Sequence, residues 1–142
     1  MLNSSHFHPM LVHFPIALIA VGFLFDFLAI VVKKEPCLSK TAYWLAIIGM
    51  VGAIFAFGSG YFFTSPMEGE AGIMREKHEL FATITLISII VATSFRILVT
   101  YLKKDHISLK YLSLCLFFIA FVFVSITGYL GGVLVIDYMI GL

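Results

Sequence analysis

Residues 41–63 read TAYWLAIIGMVGAIFAFGSGYFF and contain no Asp, Glu, Lys, Arg or His. A helix rising 1.5 Å per residue needs about 20 apolar residues to cross a hydrocarbon core of about 30 Å. This stretch meets that length. Backbone groups left unpaired in lipid are costly, and the run is too long for a barrel strand, so helix is the state it predicts. Inside it Ala42, Ala46, Gly49, Ala53, Ala56 and Gly60 repeat at a 4-3-4-3-4 spacing. That is the 3.5-residue seam of a left-handed helix pair. Small side chains along such a seam let two backbones approach closely in a membrane. The same stripe also suits a flat groove in which a planar cofactor lies against the backbone.

Three more apolar runs flank this one, over about residues 10–32, 80–102 and 111–136. The chain has 142 residues, of which 61% are hydrophobic and 12% charged, with mean hydropathy +1.08. A soluble domain carries about 25% charged residues. These values exclude a soluble globular protein, a disordered tail and a disulfide scaffold. The expected fold is all-α, a four-transmembrane-helix up-down bundle forming one domain over 1–142, with helices at about 9–33, 41–63, 76–102 and 109–136. The linkers are short and Pro36 reads as a breaker, so sequential helices should be antiparallel neighbours. No Lys or Arg precedes the first run, which is longer than a signal peptide's core, so it reads as a retained helix.

Net charge is +1, so no nucleic-acid partner is expected. Cys37 and Cys115 form no CxxC pair and read as packing thiols. Lys33, Lys34, Lys40, Lys103, Lys104 and Lys110 should share one membrane face. Arg75 and Lys77 should lie at the other, with Glu68, Glu70, Glu76, Glu79 and Asp137. The positive-inside rule makes the first face cytoplasmic, placing both termini outside a bacterial inner membrane.

Charged residues inside a span are functional or structural candidates. Asp26 precedes Lys33 by seven residues, and Arg96 precedes Lys103 by seven. Spans one and three run in the same direction, so the two side chains should meet at one depth as an ion pair. It reads either as a clamp between helices or as a proton-handling pair. His8, His13 and His78 gather near the opposite face. His78 and Arg96 are 18 residues apart, as are His8 and Asp26, which is five helical turns. Pro9 disfavours helix at His8, and Pro15 either kinks the helix or begins it. His13 lies 13 residues from Asp26, about 140° away around an ideal helix. Spacing alone therefore leaves open which two histidines face each other. Gly58 and Gly60 in span two, and Gly128, Gly131 and Gly132 in span four, share the histidines' depth.

Met1, Met10, Met67, Met74 and Met139 lie toward the same face, with Met50 alone at mid-span. Thioether with imidazole suits Cu(I). His6 and His106 fall in the terminus and the basic loop. No Gly-rich phosphate loop or GxSxG is present. His78-Glu79 continues as Leu80-Phe81-Ala82, so HExxH is absent as well.

The opening His8-Pro9-Met10-Leu11-Val12-His13-Phe14-Pro15-Ile16-Ala17 resembles a family of small prokaryotic membrane proteins filed as a domain of unknown function, whose pattern begins HPxxVHFPIA. The resemblance spans nearly the whole chain. It extends to Asp26 late in span one, to Gly58 and Gly60 ending span two, and to His78 and Arg96 bounding span three. Gly128, Gly131 and Gly132 match its closing GxxGG element. What it implies is a four-helix membrane domain, in some bacteria fused to cytochrome or Rieske-type modules, and through that association haem b and electron transfer. The ending Val135-Ile136-Asp137-Tyr138-Met139-Ile140-Gly141 departs from the family's Tyr and Gly-containing tail, so Asp137 either adds a carboxylate to the site or solvates the terminus.

Three functions follow. In the first, haem b is held by two imidazoles from facing helices, His78 with His13 or His8, and the glycines admit the ring edge. One haem near one face spans only part of the membrane, so an extracytoplasmic cytochrome or a quinone would complete the path. In the second, His8, His13 and His78 bind Zn or Cu for metal handling, with Glu79 or Asp137 nearby. In the third, the bundle is an accessory subunit of a larger respiratory-type complex or a homodimer, and the stripe is its interface. Each describes a carrier or subunit rather than a stand-alone enzyme.

Overall fold

The computed structural model describes residues 7–32, 35–64, 66–103 and 106–139. Four long helices, each apolar enough to cross a membrane, make up nearly all of it: α1 (Phe7–Val31), α2 (Pro36–Phe63), α3 (Gly69–Tyr101) and α4 (Ile107–Val133). A π-helical turn, Leu134–Met139, continues α4. The protein is an all-α four-helix membrane bundle. Lys33, Lys34, Lys104, Met1, His6 and Gly141 lie outside the described residues.

The helices start earlier than the sequence expectation. Helix α1 starts at Phe7 and passes through Pro9 and Pro15. Pro9 falls in the first turn, where a missing N–H removes no intrahelical bond. Pro15 is buried in the interior of the helix, packed beside Gly52. Helix α2 starts at Pro36 rather than at 41, because proline suits the first helical position. Helix α3 starts at Gly69 rather than at 76. The acid-rich stretch that looked like a loop is two further turns of helix, with Glu70 favourably placed in the first turn. The turn before it depends on glycine. Gly69 has φ +64°, and a Cβ on Gly72 would stand 2.6 Å from the Met67 carbonyl oxygen.

Helix α1 packs against α2 and α4, and α3 packs against the same two, so α1 and α3 face each other across the diagonal. The small-residue stripe faces α1. A Cβ on Gly49 would meet Ile19 and one on Gly60 would meet His8, and beside the stripe one on Gly52 would meet Phe14 and Pro15. The mid-bundle core is apolar, built from Ile19, Ala46, Ala53, Ile89, Phe117, Ala120 and Val124. Large apolar side chains such as Leu24, Phe55, Ile87 and Phe118 point outward. That is the surface a lipid bilayer requires. Cys37 and Cys115 are exposed, which corrects their reading as packing thiols.

Candidate functional site

The α1–α3 diagonal carries one polar pair near each end of the bundle. Because helix α1 reaches back to Phe7, His8 shares a face with Asp26, just as His78 shares one with Arg96. The two five-turn intervals therefore span the same length of bundle, about 27 Å at 1.5 Å per residue.

At the first end the His8 and His78 rings stand with centroids 6.3 Å apart and planes at 79°. Both rings are half-buried, and each has its Nδ1 occupied. Nδ1 of His78 donates to the Thr127 carbonyl at 3.1 Å. Nδ1 of His8 lies 2.8 Å from the Ser59 hydroxyl, which spends its own proton on the Ala56 carbonyl at 2.7 Å. Ser59 can therefore only accept, and His8 donates. In the neutral form both rings carry the proton on Nδ1 and keep the lone pair on Nε2. Such outer hydrogen bonds fix tautomer and ring orientation where imidazole serves as a ligand. Thr127 also receives a hydrogen bond from Thr85 at 2.9 Å, since its own hydroxyl donates to Phe123.

Two glycines make room for these rings. A Cβ on Gly60 would stand 3.0 Å from Cε1 of His8, and one on Gly131 would stand 3.1 Å from Cε1 of His78. The other three behave differently. Gly128 packs against Ile16, and a Cβ on Gly58 or Gly132 would meet nothing within 4 Å.

His13 does not join the pair. It is exposed, with Nδ1 donating to the Pro9 carbonyl of its own helix at 2.6 Å. Among the described residues no three His, Cys, Asp or Glu side chains converge to hold a metal ion. The three-histidine arrangement is thus not formed, because α1 stays helical through Pro15 and turns His13 outward. Glu79 and Asp137 are exposed, as is Met10 at 67%. His106 sits at the N-cap of α4, at the far end of the bundle.

At the second end Arg96 Nη1 donates to Asp26 Oδ1 at 2.5 Å and lies 3.3 Å from the Ser113 hydroxyl. Its Nη2 reaches the Ser39 hydroxyl at 3.0 Å and the Ser39 carbonyl at 3.4 Å. One guanidinium thus ties α3 to all three other helices. The sequence reading missed Ser39, Ser59, Ser113 and Thr127. The only signal for Ser59, Ser113 and Thr127 is that they are hydroxyl residues in apolar runs at the depths of the charged and imidazole side chains, and Ser39 falls in the stretch read as a linker.

Fold and site together define a four-helix membrane protein whose facing helices are joined by an imidazole pair at one end and an ion pair at the other. The chain belongs to a family described as predicted membrane protein (DUF2231), whose model matches residues 5–142. No curated protein and no solved structure matches it.

Proposed function

We propose that the protein is a membrane electron carrier that holds haem b between His8 and His78, at the extracytoplasmic side of a bacterial plasma membrane. The observation that carries this reading is the pair of Nδ1-tethered imidazoles on diagonal helices, 6.3 Å apart. His8 and His78 would hold the group through Nε2, the nitrogen that each Nδ1 hydrogen bond leaves with its lone pair. A pair of imidazoles would suit haem better than a zinc site, which takes three or four protein groups.

The residues present fit the group. Gly60 and Gly131 leave each ring the space a Cβ would take. When bound, haem would supply reversible one-electron transfer. The chain's own part is to hold two imidazoles at fixed orientation and to place the centre near one surface, within reach of an extracytoplasmic cytochrome or a larger respiratory-type complex. The charge bias supports that side, with Lys40, Lys103 and Lys110 at the end opposite the histidines.

The test is the absorbance of the detergent-purified full chain, expressed with ample haem, before and after dithionite. The expected result is a Soret band with α and β bands that sharpen on reduction. These should be lost in His8→Ala and His78→Ala and retained in His13→Ala. A colourless protein overturns the reading. Zinc or copper in the same sample would then indicate a metal-handling protein, and neither would indicate an accessory subunit.

A further inference from the structure

Asp26 is 3% exposed, and only its Oδ1 is bonded to Arg96. No protein group among the described residues hydrogen-bonds Oδ2, which is fully buried. A carboxylate oxygen in a membrane interior without a donor is unusual, and each such atom needs an account. Beside it is a small cavity lined by Asp26, Ala42, Ala46, Thr93, Arg96 and Ser113, among others. The space open to a water-sized sphere there is about 10 Å³, close to the minimum for one molecule.

The cavity walls offer such a molecule its partners. Ser113 accepts from Arg96 at 3.3 Å and keeps its own proton to donate. Thr93 donates to the Ala46 carbonyl at 3.4 Å and keeps a lone pair to accept. With Oδ2 that makes three polar neighbours, the usual number for a buried water. A water in this place suits both forms of the carboxyl group, because it can donate to a carboxylate or accept from a carboxylic acid.

Arg96 also lines a second, open cleft of about 600 Å³, with Ala29, Glu35, Ser39, Lys40, Thr100 and Lys110 among the other walls. The guanidinium therefore separates the buried water-sized space from the basic end of the bundle. The charged groups around Asp26 are few. Helix α3 brings Arg96. Among the described residues, α2 and α4 bring no titratable side chain into the inner cavity, and Glu35, Lys40 and Lys110 stand in the outer cleft.

We propose that Asp26 is a proton-exchange site served from the basic end of the bundle, with one water held at its free oxygen and Arg96 as the movable wall between that water and solvent. In uptake a hydrated proton from the cleft reaches the inner water, which passes a proton to Oδ2. The carboxylate becomes a carboxylic acid whose O–H donates to the same water, and Ser39 and Ser113 continue to hold the guanidinium. Release reverses these steps, and nothing is oxidised or reduced. The inference is independent of what the histidine end binds.

The test is infrared difference spectroscopy of the full chain in lipid nanodiscs, stepped from neutral to acidic pH. The expected result is a protonated-carboxyl stretching band that appears on acidification, is absent in Asp26→Asn and is shifted in Asp26→Glu. Should Asp26→Asn fail to fold, carbon-13 aspartate in an Asp105→Asn/Asp137→Asn background leaves Asp26 as the only labelled carboxyl, and the isotope shift assigns the band. Ala29→Trp fills the cleft and should slow deuterium exchange of that band at least tenfold. If no such band forms over the pH range in which the helices stay folded, or if the band survives Asp26→Asn, Asp26 is not a proton site. Unchanged exchange in Ala29→Trp removes the cleft as its route.

Discussion

Gly60 of α2 lies so close to the His8 imidazole of α1 that a single added carbon would stand 3.0 Å from Cε1 of the ring. Since Ser59 already holds the adjacent Nδ1, the imidazole cannot yield without straining that hydrogen bond. Gly60→Ala should therefore displace His8 while leaving α2 a helix, because alanine is the better helix former. Gly131→Ala should act in the same way on His78. We expect each to weaken haem retention about tenfold, in the range of changes to the groups supporting a ligand. Gly58→Ala and Gly132→Ala meet nothing and should behave as wild type. Equal retention in all four variants would show that the rings are not the ligands.

The two imidazoles are held by different kinds of acceptor, which gives a second prediction. His8 donates to a side chain, Ser59, and His78 to a backbone carbonyl, that of Thr127. Ser59→Ala removes the acceptor and leaves His8 free to rotate or to change tautomer. Thr127→Val keeps the carbonyl and removes only the hydroxyl's bonds, to Thr85 and to the Phe123 carbonyl of its own helix. Haem dissociation should be faster by about tenfold in Ser59→Ala and close to wild type in Thr127→Val. Measured transfer of haem to an apo-acceptor protein would decide it. The reverse order would mean that the carbonyl is not what orients His78.

Much of this arrangement is legible in the chain because helical membrane proteins impose few choices. A charge-free run such as residues 41–63 has one stable state in lipid, and the spacing Asp26–Lys33 against Arg96–Lys103 places two opposite charges at one depth. The 18-residue intervals His8–Asp26 and His78–Arg96 needed one further fact, that α1 is helical from Phe7. Local rules point the other way at Pro9 and Pro15. They lose because Pro9 sits where no intrahelical bond is lost, and because Gly49 and Gly52 let α1 lie close enough on α2 to hold the helix through Pro15. The same outcome turns His13 outward and leaves a pair of imidazoles. Residues 69–75 misread as loop for a related reason. Their charges mark the end of the membrane, and the helix continues past it.

Membrane sidedness can be read from the native cysteines. Cys37 is exposed in the first turn of α2, beside the basic end of the bundle. Cys115 is also exposed, but it lies nine positions into α4 among apolar residues that face lipid. A membrane-impermeant maleimide applied to right-side-out spheroplasts should label neither thiol. Applied to inverted vesicles, it should label Cys37, and Cys37→Ser should abolish the signal. Labelling of Cys37 in intact spheroplasts would place the histidine end in the cytoplasm and rule out an extracytoplasmic redox partner.

The Asp26–Arg96 pair predicts a non-additive stability pattern. The side chains are 4% and 15% exposed, so removing either one leaves the other's charge in a poorly solvated place. Breaking a buried pair costs about 3–5 kcal/mol, whereas replacing both members with apolar groups of similar size is often neutral or stabilising. Arg96→Met should therefore lower the thermal midpoint of the detergent-solubilised protein markedly, as should Asp26→Leu. The double variant should recover most of the loss. Circular dichroism melts of the four proteins complete the cycle. The double variant would also separate the two ends of the molecule. If it folds and keeps the histidine site intact, the ion pair is not required for assembly of the imidazole pair. Additive losses in the two single variants would mean that Ser39 and Ser113, rather than Asp26, are the main anchors of the guanidinium.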